Sequence, residues 1–249
     1  MATIIDVERQ ATAGVRSGGY TTDQAYFTRF TIGLALFILL GFVQFSLRGF
    51  VDVRKAPILT HLHGGLMVAW LGLAVVQNIT AQTSRINLHR KLGWISAALV
   101  GGILVTGIAV AFDALAGHRA PPFFSAPYFL ALTTLEPIGF AVLVVWGVSL
   151  RQKTQWHRRI MLGATIVILE PALGRLLPMP LLSGWGEWII LTIQLGVLSL
   201  LAKHDRFVLG RVHPATLSLM VTVATIHLSV TTLSKVPSFA RFAEALATT

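Results

Sequence analysis

The stretch WISAALVGGILVTGIAVAF, residues 94 to 112, runs for 19 residues without a charged side chain. At a rise of about 1.5 Å per residue, a helix of this length extends about 28 Å, close to the thickness of the hydrocarbon core of a bilayer. In hydrocarbon a segment of this length satisfies all of its backbone hydrogen bonds as a helix. The stretch therefore predicts a helix that crosses a membrane.

The composition of the whole chain agrees with this prediction. Of 249 residues, 54% are hydrophobic and 12% are charged, whereas soluble domains have about 25% charged residues. The net charge of +10 is explained by cytoplasmic loops and lipid headgroups, so no nucleic acid partner is expected. The chain has no cysteine, which excludes disulfides, iron–sulfur clusters and thiolate metal sites, and any metal must be bound by nitrogen or oxygen.

Seven apolar stretches in the sequence are long enough to cross a bilayer. We place them near residues 30–47, 58–80, 94–114, 128–150, 160–177, 186–202 and 215–234. The prediction is an all-α integral membrane protein with a single bundle of about seven transmembrane helices at 30–234. A polar tail at 1–29 precedes the bundle, and a short tail at 235–249 follows it.

The distribution of basic residues predicts the orientation. With seven spans, 13 Lys and Arg lie on the side of the N-terminus, and six or seven lie on the other side, depending on Arg175. Because basic residues are enriched in cytoplasmic loops, the N-terminus is predicted to be cytoplasmic. The expected location is a bacterial inner membrane that the chain crosses several times.

Ionisable side chains inside the spans form an outer level, on the exported side. Charged groups at this depth are costly, so they indicate a function or a specific pairing. Glu136 and Glu170 each precede a proline, and the proline is expected to kink the helix where the carboxylate projects. The predicted metal-binding residues of this level are His63, Glu136, Glu170 and His227 inside four spans, and His61 near the exported surface.

Three interpretations of the outer level remain open. Imidazoles and carboxylates from facing helices are typical ligands of an iron, copper or manganese centre. The same residues would also form a proton or ion path without a metal. In the third interpretation they are structural, with Glu170 paired to Arg175 across helices and the histidines facing headgroups or bonding between helices.

A second level lies at the predicted cytoplasmic interface. His89 precedes the third span and His157 precedes the fifth, and arginines follow both directly. Two imidazoles on alternate helices would ligate one haem axially, while arginines pair with its propionates. The predicted haem-binding residues are His89, His157, Arg90, Arg158 and Arg159. The alternative is that these are ordinary basic loop ends that contact anionic lipid.

Several motifs together resemble a family of uncharacterised bacterial integral membrane proteins known as DUF2306-like. The matching segments, between about residues 55 and 220, are His61-Leu62-His63-Gly64-Gly65, Trp70, Gln77, His89-Arg90-Lys91-Leu92-Gly93, His157-Arg158-Arg159-Ile160-Met161, Gly174-Arg175 and residues 210–216. The resemblance implies a membrane bundle and no particular activity.

The chain is also distantly similar to cytochrome b561-type electron carriers, in which paired histidines on four helices hold two b haems. In this likeness His63, His89 and His157 correspond to three of the four ligands. The fourth helix offers only Glu136 in place of a histidine, which places a two-haem arrangement in doubt. His227 on another helix is the candidate replacement.

The function predicted from these observations is a membrane-embedded redox protein that uses histidine-ligated haem b or a non-haem transition metal. Glu136 and Glu170 are the predicted catalytic residues. The expected partners are the lipid bilayer, a quinone or small lipophilic substrate, and another membrane protein. The alternative is a non-catalytic accessory or scaffold subunit, or a transporter-like subunit, whose buried His and Glu residues are structural.

Overall fold

The computed structural model describes residues 17–182 and 184–248, and all regular structure in these residues is helical. Two short 3₁₀ turns, Val53–Lys55 and Met179–Leu182, lie in the connections between helices. The helices are α1 Ser17–Leu47, α2 Ile58–Gln82, α3 Ile86–Ala116, α4 Ala126–Ser149, α5 Thr154–Val167, α6 Glu170–Leu176, α7 Gly186–Leu209, α8 Pro214–Leu233 and α9 Pro237–Leu246.

Six of these helices are long and apolar enough to cross a membrane. They coincide with six of the seven predicted spans, and they indicate a multi-pass membrane protein. Their outward faces carry large apolar side chains that no part of the described chain covers, such as Val105 and Val145. Exposed apolar faces of this extent are expected where lipid is the solvent.

The first helix begins earlier than the apolar pattern predicts. The predicted span starts at residue 30, whereas α1 starts at Ser17, within the predicted polar tail. The polar residues Asp23 and Gln24 in this extension are buried, because other helices provide partners for them. Residues 1–16 of the predicted tail lie outside the described residues.

The predicted fifth span, residues 160–177, is two short helices in place of one. α5 ends at Val167 and α6 begins at Glu170, so the helix is interrupted at Ile168 and Leu169. Pro171 lies in the first turn of α6, where a missing backbone N–H costs nothing. Pro137, by contrast, lies inside α4, which continues past it without interruption.

The interrupted pair α5 and α6 forms the centre of the bundle. Ile160, Ala164, Ile166 and Ala172 are all 0% exposed, so the other helices enclose the apolar side chains of the pair. α1 and α6 approach each other closely at Gly41 and Ala172. A Cβ at Gly41 would lie 2.9 Å from the Cβ of Ala172, so only glycine fits there.

Contacts along α1 define two ends of the bundle. At the proximal end, where α1, α3, α5 and α8 begin, Asp23 of α1 pairs with Arg158 of α5. At the distal end, where α4 and α7 begin, Gln44 of α1 donates to the carbonyl oxygen of Arg175 over 2.9 Å. The pair α5 and α6 thus follows α1 from one end of the bundle to the other.

Candidate functional site

The first candidate site is a buried polar group near the distal end, which we call the distal cluster. Four helices contribute to it, and its acidic and imidazole side chains are at most 9% exposed. Glu136, Glu170 and His227 line a gap that is too small to hold a water molecule. The members of the distal cluster are Tyr128 and Glu136 of α4, Glu170 of α6, Glu187 and Gln194 of α7, and His227 of α8.

His227 is at the centre of the distal cluster and uses both of its ring nitrogens. Nδ1 lies 2.6 Å from Oε1 of Glu187, and Nε2 lies 2.8 Å from Oε1 of Gln194. The hydroxyl of Tyr128 donates to the other oxygen of Glu187. Nε2 is also 3.7 Å from Oε2 of Glu170, which is longer than a hydrogen bond.

Gln194 determines the direction of these hydrogen bonds. Its amide nitrogen donates to the carbonyl oxygens of Ile166 and Val167, over 3.2 and 3.0 Å. The carbonyl of Val167 lies one turn before Pro171, which has no N–H to donate, whereas the carbonyl of Ile166 also accepts from the backbone N–H of Leu169 over 3.1 Å. Because the amide nitrogen faces the carbonyls, Oε1 of Gln194 must accept, and Nε2 of His227 must carry the proton.

Two carboxyl oxygens in the distal cluster have no hydrogen-bond partner among the described residues. They are Oε1 of Glu136 and Oε1 of Glu170, and both atoms are buried. The side chain of Arg175, which is close enough to Glu136 to interact electrostatically, instead donates to the carbonyl oxygen of Pro171 over 2.7 Å. Ionised carboxylates without partners in such a site are strongly disfavoured.

The structure thus brings together three of the five residues predicted for the outer level, namely Glu136, Glu170 and His227. His61 is exposed on α2. His63 faces α3, where its Nδ1 lies 3.0 Å from the hydroxyl oxygen of Thr106. Neither histidine lines the gap, because residues two apart on α2 point away from one another and α2 packs against α3.

The second candidate site is the pair His89 and His157 near the proximal end. Their ring centres are 6.2 Å apart, and the ring planes are almost perpendicular, at 86°. Nδ1 of His89 lies 3.2 Å from the carbonyl oxygen of Gln77, and Nδ1 of His157 lies 2.8 Å from that of Gly147.

These two hydrogen bonds fix the tautomer of both rings. A carbonyl oxygen only accepts, so each Nδ1 must carry a proton, and in a neutral ring Nε2 then presents a lone pair. Burial lowers the pKa of His157, which precedes the predicted fifth span, and nearby His89 adds to this effect. The hydrogen bond to Gly147 acts in the opposite direction. The neutral form with a free Nε2 is the one that ligates metals.

The arginines next to His157 are occupied by aspartates. Arg158 pairs with Asp23, and Arg159 donates through Nε to Oδ1 of Asp205 over 2.9 Å. Arg159 and Asp205 are both 0% exposed. The geometry therefore does not support a role for Arg158 and Arg159 in binding propionates, since these guanidinium groups hold α5 to α1 and α7.

Arg90, the other predicted propionate-binding residue, is exposed beside His89. Further exposed cations lie at the same end, and none of them forms an ion pair with a described residue. They are Arg85, Lys91, Arg151 and Lys153. The proximal end thus retains unpaired positive charge after the buried arginines are accounted for.

Sequence reasoning missed five residues in or beside the two sites. One of them is Tyr128, since an aromatic ring near the end of a span is usually an anchor at the headgroup level. Glu187 and Gln194 belong to the distal cluster and are seven residues apart on α7, a spacing that places them on one helix face and was a usable signal. Asp23 and Asp205 were missed at the proximal end, because acidic residues near helix ends are usually solvated and only the fold shows their arginine partners.

No family model, curated protein or solved structure matches this chain. The resemblances to DUF2306-like proteins and to cytochrome b561-type carriers therefore stay predictions. The functional argument rests on the geometry of the two sites.

Proposed function

We propose that the protein is a membrane redox protein that holds a haem b between His89 and His157. The observation that carries this proposal is the spacing of the two rings, 6.2 Å between centres, with each Nδ1 directed at a backbone carbonyl. Bis-histidine ligation of haem requires two neutral imidazoles from different elements, each with a free nitrogen. The two rings belong to α3 and α5, which begin at the same end of the bundle.

The ring spacing agrees with the length of two metal–imidazole bonds. A ring nitrogen lies about 1.1 Å from the ring centre and a metal–imidazole bond is about 2 Å long, so two trans imidazoles on one ion have centres about 6 Å apart. Two histidines in direct ring contact would also pack within about 7 Å. The ordered tautomers support the first case, because they leave Nε2 of each ring free to bind a metal.

The residue one turn after His89 on α3 is a glycine. This residue, Gly93, lies on the same face as His89, and a Cβ there would meet only the amide of Gln77, at 3.9 Å. Arg90 and the other exposed cations of the proximal end supply the positive charge that propionates need. When bound, haem would supply one-electron transfer, while the Gln77 and Gly147 carbonyls orient the two ligands and increase their basicity.

The proposal includes seven membrane crossings with a cytoplasmic N-terminus in a bacterial inner membrane. Supporting it, α5 and α6 follow α1 from the Asp23–Arg158 pair to the Gln44–Arg175 contact, which makes them together the length of one crossing. The proximal end then carries the excess of basic residues. A reporter fused at residue 249 is expected on the exported side, and a cytoplasmic reporter would contradict this topology.

The test of the haem assignment is an absorption spectrum of protein expressed with ample haem and purified in mild detergent, before and after dithionite. We expect a Soret band and a reduced alpha band of the bis-histidine type in the wild type and in His61→Gln. Both bands should be lost in His89→Gln and in His157→Gln. Colourless wild-type protein that copurifies with a larger partner would instead indicate an accessory or transporter-like subunit.

A further inference from the structure

We propose that the distal cluster is a proton-storage site. In this proposal a proton enters from the aqueous face where α4 and α7 begin, and passes through Tyr128, Glu187 and His227 to the buried pair Glu170 and Glu136. The inference is independent of haem at the other end of the bundle. It rests on two unpartnered carboxyl oxygens and on the hydrogen bonds that lead to His227, which lies 3.7 Å from Glu170.

The unpartnered oxygens of Glu136 and Glu170 indicate that a proton or a cation is bound beside them. Glu136 and Glu170 are 7% and 4% exposed, and each has one oxygen to which no described residue donates, beside a gap too small for a water molecule. Two ionised carboxylates close together in such a place repel one another and have lost their hydration. At least one proton or cation must therefore reside there for the bundle to pack as it does.

The charged groups that face this pair come from every surrounding helix. α4 contributes Tyr128, α7 contributes Glu187 and α8 contributes His227. α6 contributes Arg175, which lies over the ring of Phe42 at 4.1 Å and donates to a backbone carbonyl. Since no hydrogen bond joins Arg175 to either carboxylate among the described residues, it does not remove the need for a proton.

A route of hydrogen bonds leads from the distal end to His227, and a gap of 3.7 Å separates His227 from Glu170. The hydroxyl of half-buried Tyr128 contacts Glu187, which lies in the first turn of α7. Glu187 in turn contacts Nδ1 of His227, and Nε2 of the same ring faces Glu170. An imidazole placed in this way accepts a proton on one side and releases one on the other.

Each bond that breaks in the transfer is matched by one that forms. The O–H bond of Tyr128 breaks as an O–H bond forms at Oε2 of Glu187, and Tyr128 regains a proton from the aqueous face. The O–H bond of protonated Glu187 breaks as an N–H bond forms at Nδ1 of His227. The N–H bond at Nε2 breaks, and an O–H bond forms at Oε2 of Glu170. For this step the hydrogen bond from Nε2 to Gln194 must break, and the present 3.7 Å between Nε2 and Oε2 must shorten by about 1 Å. Return of the proton along the same route restores the starting tautomer, so the site stores a proton and releases it to the same side.

The hydrogen bonds favour a proton over a metal ion as the occupant. Glu170, Glu187 and His227 each offer a ligand atom, and these atoms lie within 4.8 Å of one another. Both nitrogens of His227 are already used, by Glu187 and Gln194, so a metal would have to displace one of these bonds.

Infrared spectroscopy of the full-length protein in lipid vesicles tests the proposal. At neutral pH the wild type should show the carbonyl stretching band of a protonated, buried carboxyl group, shifted downwards in D₂O. Glu136→Gln and Glu170→Gln, checked for folding by thermal unfolding, should each lose band area. Glu244→Gln, at an exposed position on α9, should not.

The proton route is tested by deuterium exchange of the same band. Tyr128→Phe keeps the ring and should keep the band, but its exchange should slow by on the order of 10-fold, since a positioned proton-transfer group is removed. Tyr26→Phe at the proximal end is the matched control. Absence of the band from the wild type, or an unchanged band in both glutamate variants, would overturn the proposal. So would a stoichiometric metal that is lost in Glu170→Gln.

Discussion

The ion pair of Arg159 and Asp205 provides the sharpest stability prediction. Both side chains are 0% exposed, and Asp205 accepts hydrogen bonds from Arg159, from the backbone N–H of His213 and from the hydroxyl of Thr216. Asp205→Asn preserves the shape of the side chain but removes its charge. The guanidinium of Arg159 then remains buried without an anion.

The expected magnitude follows from this burial. Removal of one partner of a buried ion pair costs about 3 to 5 kcal/mol, because the other charge stays desolvated. For a chain of this size about 1 kcal/mol lowers Tm by about 2 to 4 °C, so we expect a decrease of about 6 to 20 °C. Asp52→Asn is the control, since the Asp52–Lys55 pair is exposed and such pairs contribute about 0 to 1 kcal/mol.

The assay is thermal unfolding in mild detergent, followed by tryptophan fluorescence. A double-mutant cycle with Arg159→Met, Asp205→Leu and the combined variant separates the interaction from the packing. Because apolar replacement of a buried pair is often neutral or stabilising, the combined variant should be more stable than either single variant. A Tm for Asp205→Asn within about 2 °C of the wild type would refute the reasoning.

Three further predictions concern packing and the two sites. Gly41→Ala should destabilise the protein by about 1 to 3 kcal/mol, since its Cβ would lie 2.9 Å from that of Ala172, whereas Gly33→Ala, with no atom within 4 Å of its Cβ, should not lower Tm. Gln194→Leu should cost about 1 to 3 kcal/mol, measured as a lower Tm, because the carbonyl of Val167 loses its side-chain donor, whereas that of Ile166 keeps the N–H of Leu169; a Tm equal to the wild type would show that the helix interruption needs no such partner. Gly93→Leu should lower the haem content of the purified protein without lowering its Tm, because the new side chain would lie on the same face of α3 as His89; full haem content in this variant would place haem elsewhere.

The sequence predicts the membrane-length helices well because a helix that crosses lipid needs about 20 mostly apolar residues in a row. Six apolar stretches appear as helices long enough to cross a bilayer. The fifth differs because Pro171 begins a new helix and Gln194, on another helix, donates to the carbonyls of Ile166 and Val167 beside the interruption. Apolar composition alone does not reveal a partner of this kind, 28 residues away along the chain.

Depth along each helix predicted part of the distal cluster and no more. Glu136, Glu170 and His227 meet because their helices all face the interior, whereas His63 at a similar depth faces Thr106 on α3. Rotation of each helix about its axis decides this outcome, and an almost uniformly apolar sequence specifies that rotation poorly. At the proximal end, the adjacency of His157 to arginines suggested a site for propionates. The fold instead uses Arg158 and Arg159 for ion pairs.

Electron paramagnetic resonance of the oxidised wild-type protein, expressed with ample haem, tests the central claim most directly. Nearly perpendicular imidazoles on one ferric haem give a highly anisotropic low-spin signal. With the ring planes of His89 and His157 at 86°, we predict this signal at one haem per chain. Protein without haem, or a haem with a high-spin signal, would contradict the assignment of His89 and His157 as its two ligands.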